Sequence, residues 1–420
     1  MLKVLIVEDS AVVTKVLRHL VDSDPQLQAE FVDSLAAAQS ALAQTNDYFA
    51  AIVDLTLPDA RDGEAVDFTL AQGLPTIVLT GVFDPQMRER LQSRGIVDYI
   101  TKENRYSYQR ALALVHRLAR NRHTQVVVAE DSSSVRRHIV TLLERHHYRV
   151  HQATNGREAL ALLTQHPQTR LLITDYQMPE VDGFTLTQEL RHRIGPDRLA
   201  IIGLSTSGEP NLSARFIKYG ADDFLHKPFC PEEFYCRVQS NIEALERLMA
   251  LEESARRDPL TGLHNRRHFF AEAPGLLSQA QSQGHPLAVA VLDVDHFKKI
   301  NDHYGHQTGD EVLKALAQAL SQGFARFLLA RAGGEEFFLM MPGVDSDKGR
   351  QLLDSLRTQL ARHPLRASGE AIPIRFSAGI TDERGLDLEQ MLAQADRYLY
   401  QAKAAGRDRV VDDSCALQPA

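Results

Sequence analysis

The chain has 420 residues, 44% of them hydrophobic, and a formal net charge of −8. That length has room for about three ordinary domains, and the acidic balance argues against bulk binding to nucleic acid or to an anionic membrane. No long apolar span occurs, and Met1–Val7 runs straight into Glu8 and Asp9 without a leader-like charge pattern, so the expected location is cytoplasmic. The cysteines, Cys230, Cys236 and Cys415, are odd in number and lack metal-binding spacing. They are expected to be incidental thiols.

The N-terminal half holds an internal repeat. Met1–Ser10, a short apolar strand ending in an acid pair, returns as Gln125–Ser132. Ala51–Pro58 returns as Leu172–Pro179, each with a central aspartate, Asp54 or Asp175. Ile77–Thr80 matches Ile202–Ser205, and Asp98–Lys102 matches Asp223–Lys227. Strand-like runs alternate with amphipathic helical stretches such as Glu158–Thr164, the pattern of a parallel sheet covered by helices on both faces. In such sheets the active groups gather at the strands' C-terminal ends.

These two units resemble response-regulator receiver domains, flavodoxin-like folds with five-stranded parallel sheets. The resemblance implies that Glu8, Asp9 and Asp54 bind Mg²⁺ in the first, and Glu130, Asp131 and Asp175 in the second. Asp54 and Asp175 become the phosphoryl acceptors. Thr80 or Ser205 would bond the phosphoryl oxygens, Lys102 or Lys227 would pair with the phosphate, and Tyr99 or Phe224 would occupy the rotameric switch position. Added phosphoryl charge can then bias a two-state surface. The second unit carries Lys227-Pro228, where a cis bond is usual, whereas the first has Lys102-Glu103. The Asp62-Gly63 pair of the first also lies one residue further from Asp54 than Asp182-Gly183 does from Asp175. Both receivers are therefore expected to be phosphorylated in use, the second being the more standard of the two; which one is the main input stays open, as does a structural-adaptor role for the first.

From Pro231 to Arg257, Phe234, Val238, Ile242, Leu245 and Met249 recur at helical spacing, with a second stripe of Ala244, Leu248, Leu251 and Ala255. Two readings fit. One is a helix packed on its own receiver; the other is a dimer stalk, for which the heptads are few.

In the C-terminal third, Leu287–Leu292 is a continuous apolar run, hence a buried strand, leading into Asp293 and Asp295. Gly333-Gly334-Glu335-Glu336-Phe337 lies between two further strand-like runs. Paired glycines favour a tight hairpin, which could bring Glu335 opposite Asp293. Two converging carboxylates suit Mg²⁺ with nucleotide phosphates in its remaining positions; for the pentapeptide alone, a solvated turn with surface glutamates is an equal reading. Lys298 can reach a phosphate, while Asn301 and Asp310 suit a guanine edge. Lys403 and Arg407 offer two cations four residues apart, one helical turn, beside Gly406, which can end the helix.

Residues 258–412 resemble a GGDEF domain, the catalytic domain of diguanylate cyclases, an α/β fold with a mixed, nucleotidyl-cyclase-like central sheet. The resemblance rests on Asp258–Arg267, Asp293–Lys298, Asn301–Asp310, Gly333–Phe337, and Ala395-Asp396 with Tyr400–Lys403. It implies that Asp293, Glu335 and the Val294 carbonyl hold Mg²⁺, with Mn²⁺ as the alternative ion. Glu336 would assist there, and Glu335 would accept the ribose 3′-hydroxyl proton. Lys298, Lys403 and Arg407 would meet the phosphates, and Asn301, His306 and Asp310 the nucleotide. Glutamate at the third motif position is an accepted variant. The family's inhibitory Arg-x-x-Asp site would fall on Phe324–Phe327, which supplies neither residue in place. Product inhibition there is expected to be absent or weak.

The expected divisions are receiver one at 1–122, receiver two at 124–243, a helical connector at 232–257 continuing the last receiver helix, the GGDEF domain at 258–412 and a flexible tail at 413–420. The expectation is a phosphorylation-regulated diguanylate cyclase acting as a homodimer on GTP and served by a histidine kinase or phosphotransfer protein. A catalytically silent GTP sensor and a receiver-based signalling adaptor are the rival readings.

Overall fold

The computed structural model describes residues 1–414 apart from 46, 82–84, 207–211 and 368–369; Cys415 and most of the expected tail lie outside the described residues. The chain falls into two compact units, Met1–Met249 and Ala250–Ala420.

The first unit contains two parallel sheets. The first sheet comprises β1 (Leu2–Val7), β2 (Leu27–Val32), β3 (Ala50–Asp54), β4 (Thr76–Thr80) and β5 (Asp98–Thr101), in the order β2-β1-β3-β4-β5. Its central strands are near-continuous apolar runs because both faces are buried. Val4, Ile6, Ile52 and Ile77 meet α1 (Ala11–Asp22) and α5 (Arg105–Asn121) through Leu17, Ala111 and Val115. Leu5, Val7, Val53 and Val78 face α2 (Leu35–Gln44), α3 (Glu64–Ala71) and α4 (Pro85–Arg94) through Ala38, Val66 and Leu91. Strand order reverses between β1 and β3, which opens a crevice at their C-terminal ends; Glu8 and Asp9 follow β1, and Asp54 ends β3. The extra residue in the β3–α3 connection is taken up by a tight turn closed by Leu57 and Ala60. It is pinned by Asp59, whose carboxylate accepts from the Leu35 and Ala36 amides (3.0 Å each) at the start of α2.

The second sheet repeats the plan with β6 (Gln125–Ala129), β7 (Arg149–Ala153), β8 (Thr169–Asp175), β9 (Ala200–Thr206) and β10 (Asp223–Lys227), ordered β7-β6-β8-β9-β10. Its helices are α6 (Ser133–Arg145), α7 (Gly156–Gln165), α8 (Gly183–Arg193), α9 (Leu212–Lys218) and α10 (Pro231–Arg256). Side-chain caps start several of them: Asn155 accepts from the Glu158 amide and Asp182 from the Thr185 amide. The Lys227–Pro228 bond is cis. Phe234, Val238, Ile242 and Leu245 of α10 are buried in this domain's core with Met249 packed beside them. The second stripe is exposed, with Leu248 at 48% and Leu251 at 67%. The two domains meet at α5. Arg117, 4% exposed, donates to Glu243 (2.5 Å) and Glu246 (3.1 Å) of α10, and the His146 ring bonds the Val97 carbonyl (3.0 Å).

The second unit is built on a six-stranded mixed sheet, ordered β11-β13-β14-β12-β17-β18. Its strands are β11 (His264–Asn265), β12 (Leu287–Val294), β13 (Leu328–Gly333), β14 (Glu336–Pro342), β17 (Phe376–Thr381) and β18 (Val410–Val411); β15 (Leu365–Ala367) and β16 (Glu370–Ile372) form a separate hairpin. The helices are α11 (Arg266–Gln283), α12 (Phe297–Tyr304), α13 (His306–Gly323), α14 (Ser346–Arg362) and α15 (Leu388–Ala404). Every residue of β12 is buried, as its unbroken apolar run requires. Ala288, Ala290 and Leu292 face one core, and Val289 and Val291 the other.

Candidate functional site

In each of the first two domains one lysine joins two acids at the sheet crevice. Lys102 Nζ lies 2.6 Å from Asp54 and 2.7 Å from Glu8; Lys227 Nζ lies 2.6 Å from Asp175 and 2.8 Å from Glu130. Burial pushes Glu8 and Glu130 above the ordinary carboxylate range, and the lysine in each pocket pulls back. Burial alone would lower the two lysines, but their acid partners hold them above the usual value. Glu8, Asp9 and Asp54 present oxygens within 4.8 Å of one another, as do Glu130, Asp131 and Asp175. All-oxygen sets of this kind fit a hard divalent cation. Thr80 and Ser205 are buried at the ends of β4 and β9. Tyr99 is half-buried on β5, and Phe224 packs on Phe216. In the second domain a cavity of about 690 Å³ opens onto Asp131, Asp175, Ser205 and Lys227.

In the third domain the glycine pair forms the expected hairpin. Gly333 pairs with Glu336, leaving Gly334 and Glu335 in the turn. Gly334 takes φ +51°, a left-handed value suited to the first central position of a two-residue hairpin. The register differs by one from the expectation. Because the turn consumes Glu335, the residue directly across from Asp293 is Glu336, and Glu335 accepts the Val294 amide on its carbonyl (3.2 Å). The acids still converge. Burial raises the Glu335 carboxyl, and the Asp293 charge raises it further. Asp293, 5% exposed, is likewise raised by burial and drawn back by Lys403, whose Nζ lies 2.8 Å away, and by Arg407. Two carboxylates at one strand end are oxygen donors of the kind that suits a hard divalent ion.

Lys298 is exposed on the first turn of α12. Asn301 lies further along that helix, with His306 and Asp310 exposed on α13, so these residues share the α12–α13 corner that follows β12. Gly309 is the unforeseen partner there: a Cβ on it would fall 1.9 Å from Asn301 Oδ1. Lys403 and Arg407 do not share a helical turn. Helix α15 stops at Ala404, and Gly406, Arg407 and Asp408 all take left-handed φ values, +109°, +64° and +49°. A second unforeseen residue is Arg331, which donates to the Gly334 carbonyl (2.7 and 2.9 Å) and to the Asp258 carboxylate (3.0 and 3.1 Å), bracing the hairpin against the domain's first turn. Its place two residues before Gly333 was the visible signal; its partner 73 positions upstream was not.

Residues 4–111 and 126–239 match the response regulator receiver domain family, and residues 255–409 match the family described as diguanylate cyclase, GGDEF domain. The chain is a response regulator with two receiver domains and a GGDEF domain. Among curated relatives of this GGDEF response regulator, the response regulator PleD of Caulobacter vibrioides is 31% identical over 253 residues, covering 57% of this chain and 56% of that one. Diguanylate cyclase DgcP of Pseudomonas aeruginosa is 40% identical over 238 residues, covering 51% and 36%. The chain thus spans about half the length of the first and a third of the second. A solved two-component response regulator/GGDEF domain protein superposes with a TM-score of 0.54 at 44% identity, covering 59% of this chain and all of that one. Among the described residues no helix is long and apolar enough to cross a membrane.

Proposed function

We propose that this response regulator is a phosphorylation-controlled diguanylate cyclase, with the domain divisions given above. The observation that carries the reading is the Val294 amide's bond to the Glu335 carbonyl, which sets Glu335 of the Gly333-Gly334 hairpin beside the strand end that bears Asp293, with Lys403 against Asp293. The 3′-oxygen of one GTP attacks the α-phosphorus of a second, the bond to pyrophosphate breaks, and repetition gives cyclic di-GMP and two pyrophosphates. A bound Mg²⁺ or Mn²⁺, held by Asp293, Glu335 and the Val294 carbonyl with Glu336 nearby, would offset phosphate charge. Glu335, raised by burial and by Asp293, is suited to take the 3′-hydroxyl proton. Lys298, Lys403 and Arg407 supply cations for the phosphates. Asn301 and Asp310 hold the guanine edge, and His306 meets the nucleotide.

One domain binds one GTP, so two must face each other and effective concentration sets the rate. The exposed stripe Ala244, Leu248, Leu251, Ala255 on α10 supports a homodimer. Asp54 and Asp175 accept phosphoryl groups from a histidine kinase or phosphotransfer protein, with Mg²⁺ at the acid triads, and the protein works in the cytoplasm. At the product-inhibition positions, Phe324 is buried in the core and Arg326 lies over the Phe327 ring at 4.6 Å, which supports weak or absent feedback. Purified protein with GTP and Mg²⁺, with and without a small-molecule phosphoryl donor, is expected to make cyclic di-GMP. Its absence in both at high protein concentration rejects the reading. Glu335→Gln should lower turnover by about a hundredfold or more; retained turnover removes its assigned role.

A further inference from the structure

The end of β12 carries two acids, and the second, Asp295, has no part in the chemistry above. It is 5% exposed, and both its oxygens are committed. Oδ1 accepts the Ser377 hydroxyl (2.8 Å), from a buried position on β17. Oδ2 accepts the Asp408 backbone amide (2.9 Å). Its own amide donates to the Arg375 carbonyl (2.9 Å).

The segment it grips is a strained one. Arg407 and Asp408 are consecutive non-glycine residues in the left-handed region, where an L-residue's Cβ crowds the following carbonyl oxygen. Such a turn persists only when its surroundings over-determine it. Here the Asp408 side chain is also held by Arg357 (3.1 Å) and faces Arg375 (3.8 Å), while the Arg407 amide donates to the Ala402 carbonyl (3.0 Å). The bond from the Asp408 amide to Asp295 sets Arg407 next to the end of β12, and the arginine's charge draws the Asp293 carboxyl down.

We propose that Asp295, with Ser377 behind it, is a positioning residue that acts through Arg407: it locks the left-handed Arg407–Asp408 turn so that the arginine's charge stands beside the phosphate-bearing end of β12. The inference rests on the cyclase reading and deepens it. One strand end thereby serves two purposes, with Asp293 turned to the reactants and Asp295 to the frame that aims a cation at them.

A double-mutant cycle tests this. Asp295→Ala and Arg407→Ala are each expected to lower kcat/KM for GTP by about tenfold to a hundredfold. The double variant should be no worse than Arg407→Ala alone. Asp295→Asn should restore most of the activity, because its oxygen can take the Asp408 amide and its NH₂ can donate to Ser377. Thermal melting shows whether Asp295→Ala is folded at assay temperature; if it is not, Ser377→Ala, which removes one of the two braces, takes its place in the cycle. Losses that multiply in the double variant, or an asparagine variant as damaged as the alanine one, overturn the inference and leave the cyclase reading standing. An Arg407→Ala protein with unchanged kcat/KM overturns it together with the role given to Arg407. The same cycle read on Mg²⁺-GTP affinity by titration calorimetry decides the inference independently of turnover.

Discussion

His146 shows how a single buried group sets a pH dependence. Its ring donates to the Val97 carbonyl of the first receiver and stacks on Tyr235 at 3.7 Å. Burial pushes its pKa down to about 3, so it is neutral in the fold, whereas an unfolded histidine titrates near 6.5. Between those values the unfolded chain takes up a proton that the fold refuses. The contribution is therefore complete above about pH 6.5 and is lost as pH falls below it, by at most about 1.4 kcal/mol per pH unit. Burial of Asp98 raises its carboxyl to about 6, which favours the fold as pH falls through that value, but this effect is common to wild type and variant. Urea unfolding at pH 7.5 and 5 should show wild type losing about 2 kcal/mol more than His146→Gln; equal losses would contradict a neutral buried imidazole. The residues legible in the sequence were those whose chemistry sits at a strand end, such as Asp54, Asp175, Lys227 and Asp293. The partners of His146 and Asp295, and the Asp258 partner of Arg331, were not legible, because each lies dozens of positions away and only the tertiary fold brings it near.

At the scale of elements, the hairpin and the connector were each half legible. The glycine pair announced a turn, yet not which residue the turn would consume, and one residue's difference set Glu336 rather than Glu335 across from Asp293. Helix α10 carries two apolar stripes, and spacing alone left open which would pack. The first lies in the second receiver's core, and the second is exposed. Leu248→Glu with Leu251→Glu should accordingly leave receiver stability within about 0.5 kcal/mol. The same pair should shift the protein to monomer in sedimentation and lower the cyclase rate at least about tenfold at micromolar protein. A variant that stays dimeric and fully active would remove the stalk role. At the end of α15, Gly406 does end the helix as its residue type allows, and because it does so before Arg407, the four-residue spacing from Lys403 no longer means a shared face.

For the molecule as a whole, the internal repeat gave away two sheets of one kind, and the motifs gave away a third domain of another kind. That the two copies differ around their acceptors was legible in the extra residue after Asp54 and in Lys102-Glu103; how that loop is held was not. In the first, Asp59 ties the loop after Asp54 to the start of α2; in the second, a cavity opens onto Asp175 and Lys227 is followed by Pro228. Asp175→Asn is therefore expected to abolish stimulation of cyclic di-GMP synthesis by a phosphoryl donor, with Asp54→Asn having the smaller effect. A response that survives the first change and is lost in the second reassigns the input to the N-terminal receiver. The ion pairs of Arg117 bear on engineering. Its guanidinium is buried against two half-exposed glutamates that belong to the neighbouring domain's last helix, so losing the arginine leaves two like charges side by side without their cation. The N-terminal domain is thus no interchangeable cassette: a foreign sensor grafted in its place must bring a cation to that point, or the graft must neutralise Glu243 and Glu246.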